Sequence, residues 1–289
     1  MAGLAVHRCG SSGPGVLWIH GYTMDSTLWK PLWDLLPGFR HIGVDLPGHG
    51  ASGVLPPGLT LPELADRLAG VAGDHGADRV VGLSFGTISA LQLAVDHPEV
   101  TRALVVAAPG LNGGALDPAA GRRRRELTAL ARMGAGGDVL ADLWMSSPPD
   151  IYTGTLRHPQ VRARIRAVVS RHSWQELRGD GMRTLVSHPQ LGDLHRIEAR
   201  TLVVSGTEDM EAFLRNAATI HRSVPGCRRL DVPGAGHLPL LECPEAVAGP
   251  LAAHLAPGPD DRAPAPAPGP GPGPVPAPGP GPDPDGQAI

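Results

Sequence analysis

The sequence predicts an α/β fold in which helices cover both faces of a mostly parallel sheet. Short apolar runs alternate with amphipathic helical patterns, which is typical of a parallel sheet buried on both faces. The stretch Gly82-Leu-Ser-Phe-Gly86 joins one apolar run directly to a helical pattern. Residues 111–197 interrupt the alternation and carry no strand-like run, which indicates a helical insertion into the core.

The first part of the predicted core, residues 1–110, supplies four strands and the helices between them. Apolar runs predict a strand that leads to Ser84 and three others, at residues 16–19, 41–46 and 103–108. Asp25-Ser26 predicts the cap of a helix that Pro37-Gly38 ends. Thr60-Leu-Pro-Glu63 has the capping-box pattern and opens another helix. The helix after Ser84 closes at His97-Pro98.

The insertion at residues 111–197 is predicted to be a helical cap. Helical patterns are clearest at residues 122–133 and 160–169. The insertion lies between two predicted core strands, and we expect its helices to cover the strand ends. Helices packed beside the sheet are the alternative.

The second part of the core, residues 198–256, resumes the alternation. It supplies a strand at 199–205, a helix that ends near residue 223, a strand at 228–232 and a last helix at 244–255. From residue 257 the chain becomes a repeat of Ala-Pro and Gly-Pro. This tail, residues 257–289, lacks the apolar side chains that offset ordering entropy, so we expect it to be disordered.

Composition excludes several classes of partner. The chain of 289 residues has a net charge of −3, which gives no indication of a nucleic-acid partner. Its cysteines, Cys9, Cys227 and Cys243, are odd in number and lack C-x-x-C spacing, so they predict ordinary thiols in the cytoplasm. The sequence has no run of roughly 20 apolar residues, and we expect neither a signal peptide nor a membrane partner.

Ser84 is the candidate nucleophile. The pattern G-x-S-x-G between a strand and a helix predicts a tight, strained turn, and glycines at positions 82 and 86 avoid collisions with the neighbouring strand and helix. The turn lifts the Ser84 hydroxyl above the sheet edge. It also leaves the Phe85 N–H facing the same space at a helix N-terminus, where developing negative charge is favoured. The motif alone is also compatible with a purely structural turn.

His237 is the candidate general base, and Asp209 is the acid that would orient it. His237 lies in the glycine-rich loop that begins at Pro233, after the last predicted strand. Asp209 follows the strand that ends at Ser205, so both loops emerge at the same sheet edge as Ser84. Imidazole titrates near neutrality and can take and return the serine proton. Glu208 is the immediate rival of Asp209, and either carboxylate could instead cap a helix.

Tyr22 is the candidate second oxyanion donor. It follows His20-Gly21 at the end of the first clear strand, where Gly21 lets the backbone approach Ser84. The predicted role of His20 is structural, through hydrogen bonds to loop backbone. His49, in Pro47-Gly-His-Gly50, is also interpreted as structural.

Together these segments resemble the α/β-hydrolase superfamily. The resemblance rests on five segments that span about residues 15–255: His20 to Trp29, Asp45 to Ser52, Gly82 to Gly86, Gly206 to Asp209, and Gly236-His237. It implies the α/β-hydrolase fold and the triad order Ser84, Asp209, His237. A helical cap insertion is also usual in that family.

The resemblance implies a serine hydrolase of a small carboxylic ester, lactone or thioester, acting through an acyl-enzyme on Ser84 without metal or cofactor. Ser84 disfavours the dehalogenase and epoxide-hydrolase relatives, which carry Asp there. A triad-bearing lyase or synthase, a C–C hydrolase and a non-catalytic binding protein remain alternatives. A run of arginines at residues 122–125 could hold an anionic substrate or form a solvated helix face.

The insertion would shape the substrate pocket. Trp144 and Trp174 are candidate lining residues, as are Met133 and Met145, and all four could instead belong to the core of the insertion. The expected partner is a small-molecule substrate. Neither its identity nor the oligomeric state is predicted.

Overall fold

A computed structural model describes residues 3–179 and 181–258 of the chain. Apart from its first two residues, the predicted disordered tail at 257–289 lies outside the described residues. The described residues form a seven-stranded sheet with these strands: β1 Val6–Cys9, β2 Gly15–Ile19, β3 Arg40–Val44, β4 Ala77–Leu83, β5 Ala103–Ala107, β6 Arg200–Gly206 and β7 Arg228–Val232.

Ten α-helices accompany the sheet in the described part of the chain. They are α1 Lys30–Asp34, α2 Leu61–Asp74, α3 Phe85–Asp96, α4 Pro118–Arg132, α5 Gly137–Trp144, α6 Pro159–Ser170, α7 Gly181–Ser187, α8 Glu211–Ser223, α9 Pro239–Glu242 and α10 Pro244–Leu255. No helix of residues 3–179 and 181–258 combines the length and apolar character that crossing a membrane requires.

The strand order is β1-β3-β2-β4-β5-β6-β7. β1 pairs antiparallel with β3, and every other neighbouring pair is parallel, which confirms the predicted mostly parallel sheet. Ile19 pairs with Gly82, and Gly206 pairs with Val232. The carboxyl ends of β2, β4, β6 and β7 therefore lie along one edge of the sheet.

Both faces of the sheet are buried, which explains why its strands read as continuous apolar runs. Val16 and Trp18 of β2 join one hydrophobic cluster, while Leu17 and Ile19 join the cluster on the other face. Successive side chains of a strand point to opposite faces, so each face needs its own apolar residues.

Two local features differ from the sequence prediction. The predicted helix from residue 25 to 36 begins as a 3₁₀ turn, Ser26–Trp29, and becomes α-helical only as α1. Pro31 lies in the first turn of α1 and has no N–H to donate, so an α-helix cannot run unbroken through this point. The edge strand β1 was not predicted, because its sequence Val-His-Arg-Cys contains one strong β-former and two polar residues.

Between β5 and β6 the described residues carry α4 to α7 and short 3₁₀ turns but no strand. Contacts from this insertion reach the loop that follows β2. The Trp144 indole N–H donates to Thr23 Oγ1 at 2.8 Å, and Arg171 forms a salt bridge with Asp25 at 2.6 Å. These contacts place parts of the insertion next to the end of a core strand. The domain boundaries and the interpretation as a cap remain predictions.

Candidate active site

Ser84 lies on a strained turn between β4 and α3. Its φ is 52° and its ψ is −118°, a conformation that residues with a Cβ rarely adopt. The flanking glycines leave no room for side chains. A Cβ on Gly86 would lie 2.5 Å from the carbonyl oxygens of Ile19 and His20, and one on Gly82 would lie 2.9 Å from Ala90 Cβ. The sequence G-x-S-x-G therefore meets a steric demand at this turn.

The three predicted triad residues form one chain of hydrogen bonds. Ser84 Oγ lies 2.8 Å from His237 Nε2, and His237 Nδ1 lies 2.9 Å from Asp209 Oδ1. The imidazole of His237 is fully buried and packs against the Phe213 ring, with ring centroids 4.2 Å apart. With Nδ1 donating to the carboxylate, Nε2 is free to accept the serine proton.

Asp209, rather than Glu208, faces the histidine. Asp209 Oδ1 also accepts a hydrogen bond from the Met210 N–H at 2.7 Å, which fixes the carboxylate. The Glu208 side chain is 54% exposed and pairs with Arg157 at 2.7 Å. Adjacent residues on a turn point in different directions, so only one of the two carboxylates can reach the imidazole.

Two backbone N–H groups near Ser84 have no acceptor within the described residues. They belong to Tyr22 and Phe85, the residues predicted to hold an oxyanion. Gly21 brings the Tyr22 loop close to the nucleophile, since a Cβ on Gly21 would lie 3.4 Å from Ser84 Cβ. Backbone N–H groups in folded proteins are nearly always paired, so these two half-buried donors suit a ligand atom that accepts hydrogen bonds.

His20 and His49 occupy the neighbouring loops and make backbone contacts. His20 Nε2 accepts from the Leu46 N–H at 3.0 Å, so Nδ1 carries the proton and donates to Gly21 O at 2.8 Å. Burial lowers the pKa of His20 and lowers that of His49 well below its usual value. Neutral His20 thus joins the loop after β2 to the loop after β3.

Glu242 also contacts the histidine loop, and the sequence reasoning did not identify it. Its carboxylate accepts from the Gly236 N–H at 2.7 Å and from the Leu238 N–H at 3.0 Å, so it holds the residues on both sides of His237. The available signal was a glutamate five residues after a candidate base in a glycine-rich loop, but its contacts with that loop appear only in the folded chain. Carboxylates that accept two backbone N–H groups make strong, directional contacts.

The candidate pocket residues lie in different surroundings. Trp144 and Trp174 are buried, and both belong to the hydrophobic cluster that includes Trp18. Trp144 packs edge-on against the Tyr22 ring, with centroids 5.4 Å apart. Met145 is buried, whereas Met133 is 82% exposed. Within the described residues, no group of three or more His, Cys, Asp or Glu side chains is arranged to hold a metal ion.

A parallel sheet with a serine at a strand–helix turn, and with a histidine and an acid on loops at the same edge, defines an α/β-hydrolase. Residues 16–249 match the Alpha/beta hydrolase family, and the chain belongs to that family. The predicted family and fold are thus confirmed, and the chain is an enzyme of the hydrolase class.

Similar proteins include named hydrolases and esterases. The pimeloyl-acyl-carrier-protein methyl ester esterase of Nitrosomonas europaea is 27% identical over 265 residues, which cover 85% of this chain and 96% of that protein. The 2-(acetamidomethylene)succinate hydrolase of Mesorhizobium japonicum is 27% identical over 78% of this chain and 82% of its own. A solved thermophilic esterase from Thermogutta terrifontis is 28% identical with a TM-score of 0.70, covering 87% of this chain and 92% of that one.

Proposed function

We propose that the chain is a serine hydrolase that cleaves a carboxylic ester, lactone or thioester through an acyl-enzyme on Ser84. The observation that carries the proposal is the unbroken hydrogen-bond chain from Ser84 through His237 to Asp209. The esterases among the similar proteins support an ester substrate.

In the first half-reaction Ser84 Oγ attacks the carbonyl carbon while its proton passes to His237 Nε2. Asp209 stabilises the imidazolium through Nδ1–H, and the Tyr22 and Phe85 N–H groups hold the oxyanion. His237 then gives the proton to the leaving oxygen or sulfur as the bond to it breaks. In the second half-reaction His237 takes a proton from water as the water oxygen attacks the acyl carbon. The bond from that carbon to Ser84 Oγ then breaks, His237 returns the proton to Ser84 Oγ, and the acid leaves. The enzyme then returns to its starting protonation state.

Substitution of the nucleophile tests this proposal. Ser84→Ala should lower kcat for a small p-nitrophenyl ester by about 10⁴-fold or more and should abolish labelling by a fluorophosphonate. Ser89→Ala is the matched control, since Ser89 is buried on α3, the helix that follows Ser84, and its Oγ has no partner within the described residues. It should keep wild-type turnover. Undiminished turnover and labelling in Ser84→Ala would contradict the proposal.

A further inference from the structure

Tyr22 is held by its ring as well as by its backbone. Its phenol ring contacts those of His49, Phe85, Trp144 and His172, with centroid distances between 5.4 and 6.1 Å. Phe85 is the other predicted oxyanion donor. The ring contact between Tyr22 and Phe85 therefore joins the side chains of the two donor residues. Trp144 and His172 come from the insertion, which therefore packs against the Tyr22 ring.

The Tyr22 hydroxyl donates to Glu176 Oε1 at 2.5 Å. Glu176 is only 5% exposed, and it lies on the 3₁₀ turn Gln175–Arg178 of the insertion. The same oxygen lies 3.1 Å from His172 Nε2. A residue 154 positions away in the sequence therefore fixes the far end of the Tyr22 side chain.

Protonation states support the direction of these hydrogen bonds. Burial, together with the charge of Glu176, raises the pKa of Tyr22 well above its usual value, so the phenol stays a donor. Burial alone would raise the pKa of Glu176, but the contacts with His172 and the hydrogen bond from Tyr22 outweigh it and lower that pKa. Glu176 is therefore a carboxylate at neutral pH.

If the contact between Tyr22 and Glu176 were purely structural, it would carry a cost in folding free energy. Glu176 Oε2 is buried and has no hydrogen-bond partner within the described residues. Leaving a buried acceptor unpaired costs about 1–3 kcal/mol, more when the group is charged. An apolar side chain in its place would avoid that cost and could fill the same space. What the carboxylate adds is a fixed position for the Tyr22 hydroxyl.

We propose that Glu176, supplied by the insertion and oriented by His172, is a positioning residue for the oxyanion hole. It anchors the Tyr22 ring and so fixes where the Tyr22 N–H points. The anchor matters because Gly21, directly before Tyr22, restricts the loop backbone less than a residue with a Cβ would. An oxyanion donor must lie about 2.7–3.1 Å from the position that the developing charge will occupy. This inference rests on the proposed acyl-enzyme mechanism at Ser84.

Three variants separate positioning from stability. Tyr22→Phe removes only the hydroxyl, Glu176→Leu removes the acceptor, and Glu176→Gln keeps an acceptor oxygen. Arg171→Gln is the matched control, because Arg171 also joins the insertion to the core but contacts Asp25 instead of Tyr22. For each protein we would measure kcat and KM for a p-nitrophenyl ester, the rate of fluorophosphonate labelling, and the free energy of unfolding in urea.

Tyr22→Phe and Glu176→Leu should each lower kcat and the labelling rate by about tenfold or more, with KM within about twofold of wild type. The expected loss is smaller than the roughly 100–1000-fold cost of removing an oxyanion donor outright, because the N–H is displaced and not deleted. The double variant should be no slower than the worse single variant, since both break one contact. Glu176→Gln should recover most of the activity, and Arg171→Gln should keep wild-type kcat.

Wild-type kcat and labelling rate in Tyr22→Phe would overturn the inference, as would additive losses in the double variant. If Glu176→Leu fails to fold, Tyr22→Phe carries the test, because it removes a single oxygen. Ser84→Ala, assayed in parallel, separates the two proposals. Full turnover in Ser84→Ala would refute the acyl-enzyme mechanism, whereas loss there with unchanged Tyr22→Phe would refute only the role of Glu176.

Discussion

At the scale of single residues, the strained backbone of Ser84 is maintained by its neighbours. A residue with a Cβ that is held in such a sparsely populated φ/ψ region carries strain of about 1–3 kcal/mol. The Ser84 N–H donates to Ala107 O at 2.9 Å, and its carbonyl accepts from the Thr87 N–H at 3.0 Å and the Gly110 N–H at 3.3 Å. Contacts from β5, α3 and the loop after β5 thus fix a conformation that directs the hydroxyl towards His237.

The choice between neighbouring carboxylates gives a sharp prediction. Asp209→Asn should lower kcat by about 10³–10⁴-fold, because an amide can donate to His237 Nδ1 and favours the wrong tautomer. Glu208→Gln should keep kcat within about twofold, since Glu208 is half-exposed and pairs with Arg157. Steady-state kinetics on a p-nitrophenyl ester would measure both. A severe loss in Glu208→Gln with an active Asp209→Asn would reverse the assignment.

At the scale of elements, the four-arginine run in α4 divides into two kinds of residue. Arg122 and Arg125 are exposed, as a solvated helix face predicts, but Arg123 is only 7% exposed. The Arg123 guanidinium donates to Ser146 O at 3.0 Å and to Pro148 O at 2.6 Å. It therefore satisfies carbonyl groups at the end of α5 and in the loop that follows.

Removing that guanidinium should destabilise the insertion. Arg123→Met should lower the free energy of unfolding by about 2–4 kcal/mol, because it removes every hydrogen bond that this buried guanidinium donates to residues 143–148. Arg125→Met on the exposed face should change it by less than about 0.5 kcal/mol. Urea unfolding monitored by tryptophan fluorescence gives both values. Equal effects of the two substitutions would show that Arg123 has no special structural role.

The helices and strands were largely predictable from the sequence, whereas the contacts between side chains were not. The parallel strands were predictable because burial on both faces leaves continuous apolar runs, and α2 was predictable because Thr60 and Glu63 form a capping box. Single side-chain contacts leave no periodic signal in the sequence. Glu242 and Glu176 are single carboxylates whose partners, the histidine loop and Tyr22, become apparent only once the chain has folded. The buried arginine within an apparently solvated run was missed for the same reason.

At the scale of the whole molecule, the sheet assembles a site from distant parts of the chain. Ser84 follows β4, Asp209 follows β6, His237 follows β7 and Tyr22 follows β2. Ser84 and His237 are 153 positions apart, yet their side chains lie within hydrogen-bond distance. Parallel pairing brings the carboxyl ends of these strands to one edge, so the loops that follow them converge. The chemistry at Ser84 thus depends on the register of the entire sheet.

Stability of the whole protein should fall in mild acid because several histidines are buried. Burial lowers the pKa of four of them: His20, His41, His49 and His254. Below about pH 6.5 the unfolded chain protonates these groups while the folded protein keeps them neutral, so unfolding takes up protons. The free energy of unfolding should therefore decrease as pH falls from about 7 to 5.5, by up to about 1.4 kcal/mol per pH unit for each group.

Two variants test whether the buried histidines cause this dependence of the unfolding free energy on pH. His49→Asn should flatten the dependence of unfolding free energy on pH, because one buried imidazole is removed. His221→Asn, at an exposed position on α8, should leave the slope unchanged. His97 acts in the opposite direction: burial is outweighed by Asp66 and Glu99, which raise its pKa, so its contribution is lost as pH rises. Stability independent of pH between about 5.5 and 7 would contradict the prediction.

The most direct test of the proposed mechanism is to detect the acyl-enzyme by mass spectrometry. Turnover of p-nitrophenyl acetate would be quenched in acid at early times, and the protein would be analysed by intact mass and peptide mapping. We predict one acetyl group on the peptide that contains Ser84, and its absence from Ser84→Ala together with the loss of turnover. An acetyl group that maps to another residue, with turnover retained in Ser84→Ala, would contradict the role assigned to Ser84.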